Sequence, residues 1–185
     1  MKRRTFIKTI AGSASAMALT TPLSVFASKQ SAQSEKSLSL FNLHTGERLQ
    51  LTYANADGYN ADSLAKIAHL LRDRRTSEVH PIDVRTLDFL HHVWQSSGVD
   101  GEIGIISGYR SPKTNANLAN KSGGVAKRSL HMQGKAIDFR IQGAELATIR
   151  DIAWQSKLGG VGYYPKDQFV HIDCGRVRFW GWQPS

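Results

Sequence analysis

Two short segments of the sequence combine histidine with aspartate in a pattern that suits metal binding. His131 precedes Gly134 and an alternating run that contains Asp138, while His171 and Asp173 alternate with apolar residues further on. Alternation places every second side chain on one face of a β-strand, so Asp138 is expected on one strand, His171 on another and His131 on the loop entering the first. Two imidazoles and a carboxylate make three protein ligands, and catalytic zinc sites leave a fourth position open. The pattern therefore predicts a Zn²⁺ site of the hydrolytic kind with ligands His131, Asp138 and His171.

Two alternatives to this metal site stay open. The same three side chains also suit a buried hydrogen-bonded cluster without a metal ion. Cys174, three residues after His171, is a further ligand type, but we expect it to be a small buried residue at a strand end. Since it is the only cysteine of the chain, an intramolecular disulfide is excluded.

The signature around the first histidine resembles that of a known peptidase group. Residues 129–138 read S-x-H-x-x-G-x-A-x-D, as in the LAS-type zinc peptidases, which include D-alanyl-D-alanine carboxypeptidases and phage endolysins. The segments 106–110, 163–165 and 169–173 are similar to the YcbK-like branch of the M15 peptidases. The resemblance extends from about residue 38 to residue 180.

The resemblance implies a periplasmic enzyme whose substrate is peptidoglycan. The expected reaction is zinc-dependent hydrolysis of an amide in the peptide cross-links, as by a murein endopeptidase. Two other activities stay open: a D,D- or L,D-carboxypeptidase acting on stem peptides, and a non-catalytic cell-wall-binding module that keeps the metal. Which cross-link is cut is also left open.

Further site residues follow from position and from the resemblance. Arg110 is expected at a strand end, where its guanidinium can hold a substrate carboxylate or a developing oxyanion, or pair with a structural acid. Ser129 is expected to bind substrate. Many relatives place an acid three positions before the last histidine ligand, but this chain has Gln168 there, with Asp167 one residue earlier. We favour Asp173 as the proton acceptor, because alternation directs it to the metal side, with a role in orienting a ligand as the alternative.

The first 27 residues predict an export signal. Arg3 and Arg4 lie in the basic segment 2–8, a weakly apolar run covers 9–21, and small residues at 25–27 suit cleavage after Ala27. The run is too short and polar for a stable membrane span, although an uncleaved amphipathic anchor is the alternative. We therefore expect the twin-arginine export machinery as a partner and a periplasmic location.

The charge of the chain agrees with a cell-wall substrate. The net charge is +9, and it falls to +5 once the four basic residues of the leader are removed. A moderate basic excess suits an anionic polymer, and basic residues are not interleaved with aromatic ones as in nucleic-acid-binding proteins.

The rest of the chain predicts one α+β domain, a monomer, with a mainly antiparallel central sheet and helices packed against one side. Residues 28–37 are expected to form a linker and 38–185 the domain. A hairpin is predicted from 38–43 and 48–53, helices over 61–75, from Pro81 to Gly98 and over 144–157, and strands over 101–107, 161–164, 169–173 and 176–180. Residues 111–128 are expected to form a substrate-facing loop. Trp180 and Trp182 are expected to pack in the core, with lining of the cleft as the alternative.

Overall fold

The computed structural model describes residues 35–121 and 125–183, which form an α+β arrangement of one large sheet and four helices. The strands are β1 Lys36–Asn42, β2 Arg48–Asn55, β3 Gly58–Tyr59, β4 Ile103–Ser107, β5 Ala136–Ile141, β6 Gly160–Tyr164, β7 Phe169–Asp173 and β8 Arg178–Trp180. The helices are α1 Ala61–Leu70, α2 Val84–Ser96, α3 Pro112–Lys121 and α4 Leu146–Ser156, with a short 3-10 helix at Leu130–Gln133.

The eight strands form a mixed sheet in the order β3-β2-β1-β4-β5-β7-β6-β8. β1 pairs with β4 in parallel, and β6 pairs with β8 in parallel, while the remaining neighbours are antiparallel. The expectation of a mainly antiparallel sheet is therefore corrected to a mixed one. Neither parallel pair joins strands that follow one another directly in the chain, so local turn signals gave no indication of them.

The two faces of the sheet have different compositions. On β5, Ile137, Phe139 and Ile141 belong to the apolar core, as the alternation predicts. α2 and α4 pack against each other and against the central strands, and α1 packs against β2. Ala136 and Asp138 point to the opposite face by the same alternation. That opposite face carries the polar residues with which the sequence analysis began.

The predicted hairpin and helices are present with revised ends. β1 and β2 pair around a turn, and β1 begins at Lys36, two residues before the expected domain start. α1 ends at Leu70 rather than near residue 75, and its N-cap is Asn60, whose side chain accepts from the Ser63 amide. α2 begins after Asp83, which caps it, three residues later than Pro81 suggests.

Residues 111–128 are not wholly a loop, because α3 occupies Pro112–Lys121. Pro112 stands at the first helical position, and the Ser111 hydroxyl accepts from the Thr114 amide at 3.2 Å. Capping and an N-terminal proline therefore start a helix whose apolar periodicity is too weak to be recognised from the sequence. The expected loop is thus corrected to a capped helix at 112–121, while residues 125–128 contain no helix or strand.

The predicted signal peptide at 1–27 and most of the predicted linker lie outside the described residues. Within 35–121 and 125–183, no helix combines the length and the apolar character needed to cross a membrane.

Candidate metal centre

Strand register brings Asp138 and His171 together. Asp138 on β5 is the direct partner of His171 on β7, and His171 is also the partner of Gly162 on β6. Direct partners in an antiparallel pair point to the same face, with Cβ atoms about 5 Å apart. The sheet itself therefore sets the spacing of the carboxylate and one imidazole.

The 3-10 helix before β5 supplies the second imidazole. The Ser129 side chain accepts from the His131 amide at 3.4 Å and caps this helix. Gly134 ends it in the left-handed region at φ 63°, and a Cβ there would lie 2.1 Å from the Pro81 carbonyl oxygen. Only glycine fits this turn, which explains why the glycine of the signature follows the histidine at that distance.

Three potential ligand atoms converge on the polar face. His131 Nε2 lies 3.3 Å from His171 Nδ1 and 3.3 Å from Asp138 Oδ1. His171 Nδ1 lies 2.7 Å from Asp138 Oδ1. All three residues are buried, and they form the one group of three or more histidine, cysteine or acidic residues with metal-binding spacing in the described part of the chain. Ligands around a tetrahedral zinc ion are separated by roughly 3.3 Å, given bonds of about 2 Å.

The outer nitrogen of each imidazole is engaged elsewhere. His131 Nδ1 lies 2.7 Å from the Gly108 carbonyl oxygen, and His171 Nε2 lies 3.0 Å from Asp173 Oδ2. Both of these oxygens are acceptors, so the imidazole nitrogens facing them are the donors. The inner nitrogens then present lone pairs toward the Asp138 carboxylate. The two imidazole nitrogens and the carboxylate oxygen are three electron-pair donors that face one point. The hydrogen bonds of the outer nitrogens fix the imidazole tautomers, and this arrangement fits a divalent metal ion.

Asp173 is fixed behind His171 rather than open to solvent. It is 0% exposed, and its two oxygens accept from both terminal nitrogens of Arg178 at 2.9 and 2.6 Å and from the Gly175 amide at 2.9 Å. Burial alone would raise the pKa of this carboxyl, but the bonds from His171 and Arg178 hold it well below its usual range.

Arg110 lies on the other side of Asp138. Its Nη2 is 3.6 Å from Asp138 Oδ2 and 3.4 Å from the Ser107 hydroxyl, and its Nη1 is 3.5 Å from the Asn115 side-chain oxygen. Burial lowers the pKa of the guanidinium, and the neighbouring Asp138 carboxylate opposes that shift. Three long contacts leave most of the hydrogen-bonding capacity of this half-buried cation available to a ligand.

The three potential ligands open into a cleft of about 470 Å³. Its walls include Ser129 and Arg110, as predicted, together with Asp167, Tyr164 and Trp180. The Trp180 indole lies 5.1 Å from the His171 ring, centroid to centroid, and its Nε1 donates to the Tyr164 hydroxyl at 2.7 Å. Trp180 thus lines the cleft, against the expectation of core packing.

Trp180 reaches the cleft because β6 leaves room for its ring. Gly162 has no side chain, and a Cβ there would lie 2.5 Å from the Trp180 indole. The role of Arg178 behind the site was also not predicted. The positions of Arg178 and Trp180 both depend on the alternating run at 176–180. The sequence did not indicate that this run pairs with β6.

Other predicted candidates lie outside this centre. Cys174 is a free, half-buried thiol and is not in the metal-spaced group. The Gln168 amide is turned to the Pro165 carbonyl. Three histidines on the helices are not in the metal-spaced group either: His91 is buried in α2, whereas His69 and His92 are exposed on their helices.

Comparison with known proteins identifies the family. Residues 30–180 match a family model of the M15 peptidases described as "Peptidoglycan L,D-endopeptidase MepK". The chain belongs to this M15 peptidase family. It is 44% identical over 143 residues to the peptidoglycan L,D-endopeptidase MepK of Escherichia coli strain K12. The matched residues cover 77% of this chain and 79% of that protein.

A second M15 relative gives the same result. Over 144 residues the chain is 43% identical to a protein of Haemophilus influenzae named probable peptidoglycan L,D-endopeptidase MepK, with 77% of each chain covered. The resemblance seen in the sequence signature is confirmed, and the chain is an M15-type peptidase.

Proposed function

We propose that this M15 peptidase hydrolyses amide bonds in the peptide cross-links of peptidoglycan and that it depends on zinc. The observation that carries the proposal is the convergence of two imidazole lone pairs and one carboxylate oxygen at the floor of the cleft. The names of the relatives support the substrate class. They also favour the L,D bond, which joins two diaminopimelate residues, over the D-alanine cross-link.

His131, Asp138 and His171 would hold the metal through Nε2, Oδ1 and Nδ1. Zinc in such a site supplies Lewis-acid chemistry, polarising a carbonyl group and lowering the pKa of a water molecule. The Gly108 carbonyl and the Asp173 carboxylate keep the two imidazoles in the tautomers that this role requires.

Arg110 and Ser129 are proposed to bind the substrate. The guanidinium of Arg110 is half-buried beside Asp138 and has spare donors, so it can bind a carboxylate of the stem peptide through a charge-assisted, bidentate contact. Ser129 lines the same cleft, two residues before His131.

For the proton acceptor we propose Asp167 rather than Asp173. Asp167 lines the cleft, whereas Asp173 is fully buried and accepts four hydrogen bonds. A carboxylate held by Arg178 with a strongly lowered pKa is a poor base, and it faces the outer nitrogen of His171. This geometry supports the orienting role for Asp173 that the sequence left as the alternative.

The location proposed is the periplasm, reached by the twin-arginine route as a monomer whose signal, residues 1–27, is removed. Arg3→Lys together with Arg4→Lys is expected to leave unprocessed protein in the cytoplasm, as fractionation and immunoblotting would reveal. Normal export of this double variant would contradict the route without affecting the proposed reaction.

The deciding experiment is digestion of purified cross-linked muropeptides by the zinc-loaded protein without residues 1–27, with products identified by mass. We expect dimers joined through two diaminopimelate residues to be converted to monomers. Removal of a terminal D-alanine with dimers untouched would make the protein a carboxypeptidase. Binding of dimers without any product would make it a cell-wall-binding module.

A further inference from the structure

A second cavity, of about 250 Å³, adjoins the cleft. It shares Arg110 and Asp138 with the cleft but is not lined by either histidine of the metal centre. Its outer wall carries Arg74 and Arg75, which belong to the turn that follows α1. The two cavities therefore meet at Arg110.

The charge in this second cavity is largely uncompensated. Arg72, on the same wall, is engaged by Glu47 through contacts of 2.9 and 3.2 Å. Arg74 and Arg75 are exposed, and neither forms an ion pair with a carboxylate within residues 35–121 and 125–183. Two guanidiniums thus face the cavity with their donors available.

The nearby titratable groups offset only part of this charge. The Asp73 carboxylate carries one negative charge, but it is buried and already accepts from the amides of Arg75 and Ser111, each at 2.8 Å. Burial, followed by the charges of Arg74 and Arg75, lowers the pKa of His44, so this imidazole is neutral at pH 7. The positive charge is therefore localised on the arginines.

The turn that carries these arginines is held in place. The Asp73 amide donates to the Glu78 carbonyl at 3.0 Å, and the Ser77 amide donates to the Asp73 carbonyl at 2.7 Å. The Tyr109 amide donates to the Leu71 carbonyl at 2.7 Å, which joins the turn to the residue next to Arg110. The backbone that carries the two arginines is therefore already ordered, so an anion that binds there does not have to order the turn.

We propose that Arg74 and Arg75 form a second anion subsite, which binds one carboxylate of an acidic peptide while Arg110 binds another. The proposal rests on the proposed function, because stem peptides of peptidoglycan carry several free carboxylates near the cross-link. The subsite selects peptides with at least two free carboxylates over peptides in which these groups are amidated. Through this subsite the enzyme contacts parts of the substrate that lie beyond the atoms next to the scissile amide.

The test is a two-by-two comparison of protein and substrate. Wild type and the double variant Arg74→Gln/Arg75→Gln are each mixed with a cross-linked muropeptide dimer that has free carboxylates and with its amidated counterpart. Calorimetry measures Kd and product formation measures kcat and KM. We expect wild type to bind the acidic dimer about tenfold more tightly than the amidated one. In the double variant this preference should fall to the part that Arg110 supplies, with kcat little changed.

The control is Arg176→Gln, which makes the same substitution at an exposed arginine outside both cavities and should behave as wild type. Circular dichroism establishes that both variants are folded. Because the preference of wild type arises from exposed charges, it should also weaken as salt is raised from 0.05 to 0.5 M.

The outcomes separate the subsite from the proposed reaction. If the double variant keeps the wild-type preference, or wild type binds both dimers equally, the subsite proposal is overturned even when cross-links are cut. If no dimer is cut but the preference falls in the double variant, the subsite stands and the proposed reaction fails.

Discussion

Asp138 and Asp173 lie on neighbouring strands, both are buried, and both contact His171, but their surroundings differ. Asp173 is saturated by Arg178, by a backbone amide and by the outer nitrogen of His171. Asp138 instead faces the inner nitrogens of two imidazoles and one distant guanidinium. The negative charge of Asp173 is balanced by the guanidinium of Arg178. The lone pairs around Asp138 do not balance its charge, so a cation bound there would be stabilised.

This difference assigns Asp138 as a metal ligand and Asp173 as the residue that orients the ligand His171. A metal ion would complete the coordination of Asp138 and would leave the partners of Asp173 unchanged. The two residues therefore have the same chemical type but different expected responses to substitution and to metal removal.

The largest loss of zinc and of activity is expected on substitution of Asp138. Asp138→Asn weakens an essential ligand, so bound zinc should be lost and hydrolysis of muropeptide dimers should fall by about 1,000-fold or more. Elemental analysis and the digestion assay measure the two losses. Asp62→Asn, at an exposed position on α1, is the matched control. Stoichiometric zinc in the folded Asp138 variant would remove this residue from the ligand set.

A smaller loss of zinc affinity, reversible by added zinc, is expected on substitution of Asp173. Asp173→Asn loosens the orientation of His171, and substitutions of such supporting partners weaken metal affinity by about 10- to 100-fold. Excess zinc should therefore restore most of the activity. Measuring kcat at saturating zinc tests this, because activity that stays low in the zinc-loaded variant would assign proton transfer to Asp173.

A third buried carboxylate, Asp73, allows the comparison to be sharpened, because its partners are amides and hydroxyls and include none of the proposed metal ligands. These hydrogen bonds outweigh burial and lower its pKa from 3.8 to about 2. Its contribution to stability is thus present above about pH 4 and is lost as pH falls through the folded pKa. Asp73→Asn should lower the free energy of unfolding by about 2 kcal/mol at pH 7, without loss of zinc.

Urea denaturation at pH 7, 4 and 2.5 measures the pH dependence of this effect. The difference between wild type and the Asp73 variant should shrink at the lowest pH. A difference that stays constant over this range would mean that the ionised carboxylate is not the stabilising form.

The smallest effect is expected at Cys174. The thiol is near His171 in sequence but is not in the metal-spaced group, so Cys174→Ser should leave zinc content unchanged and activity within about twofold of wild type. Loss of zinc from this variant would add a sulfur ligand to the set proposed above.

Much of the site was predictable because its residues follow local patterns. Alternation correctly placed Asp138, His171 and Asp173 on one face, and the glycine of the signature marked the turn after His131. Alternation indicates the face of a strand but not the depth of a residue, so it did not reveal that Asp173 is enclosed by Arg178. That contact depends on β8, which reaches the site only through its pairing with β6.

The features that escaped prediction depend on contacts between distant parts of the chain or on capping. The parallel pairing of β1 with β4 joins strands separated by two helices. α3 depends on Ser111 and Pro112 rather than on an apolar stripe. The second cavity needs the turn after α1 to meet the end of β4, which no local pattern indicates.

The pairing of Asp138 with His171 has a consequence for how this architecture can diverge. A slip of one residue between β5 and β7 would turn one of these side chains to the opposite face, so the ligand pair exists only in the native register. The walls of the cleft lie largely on other segments, including the region after α3 and β8. Those segments can change in length and composition to accept different peptides while the reacting centre keeps its dimensions.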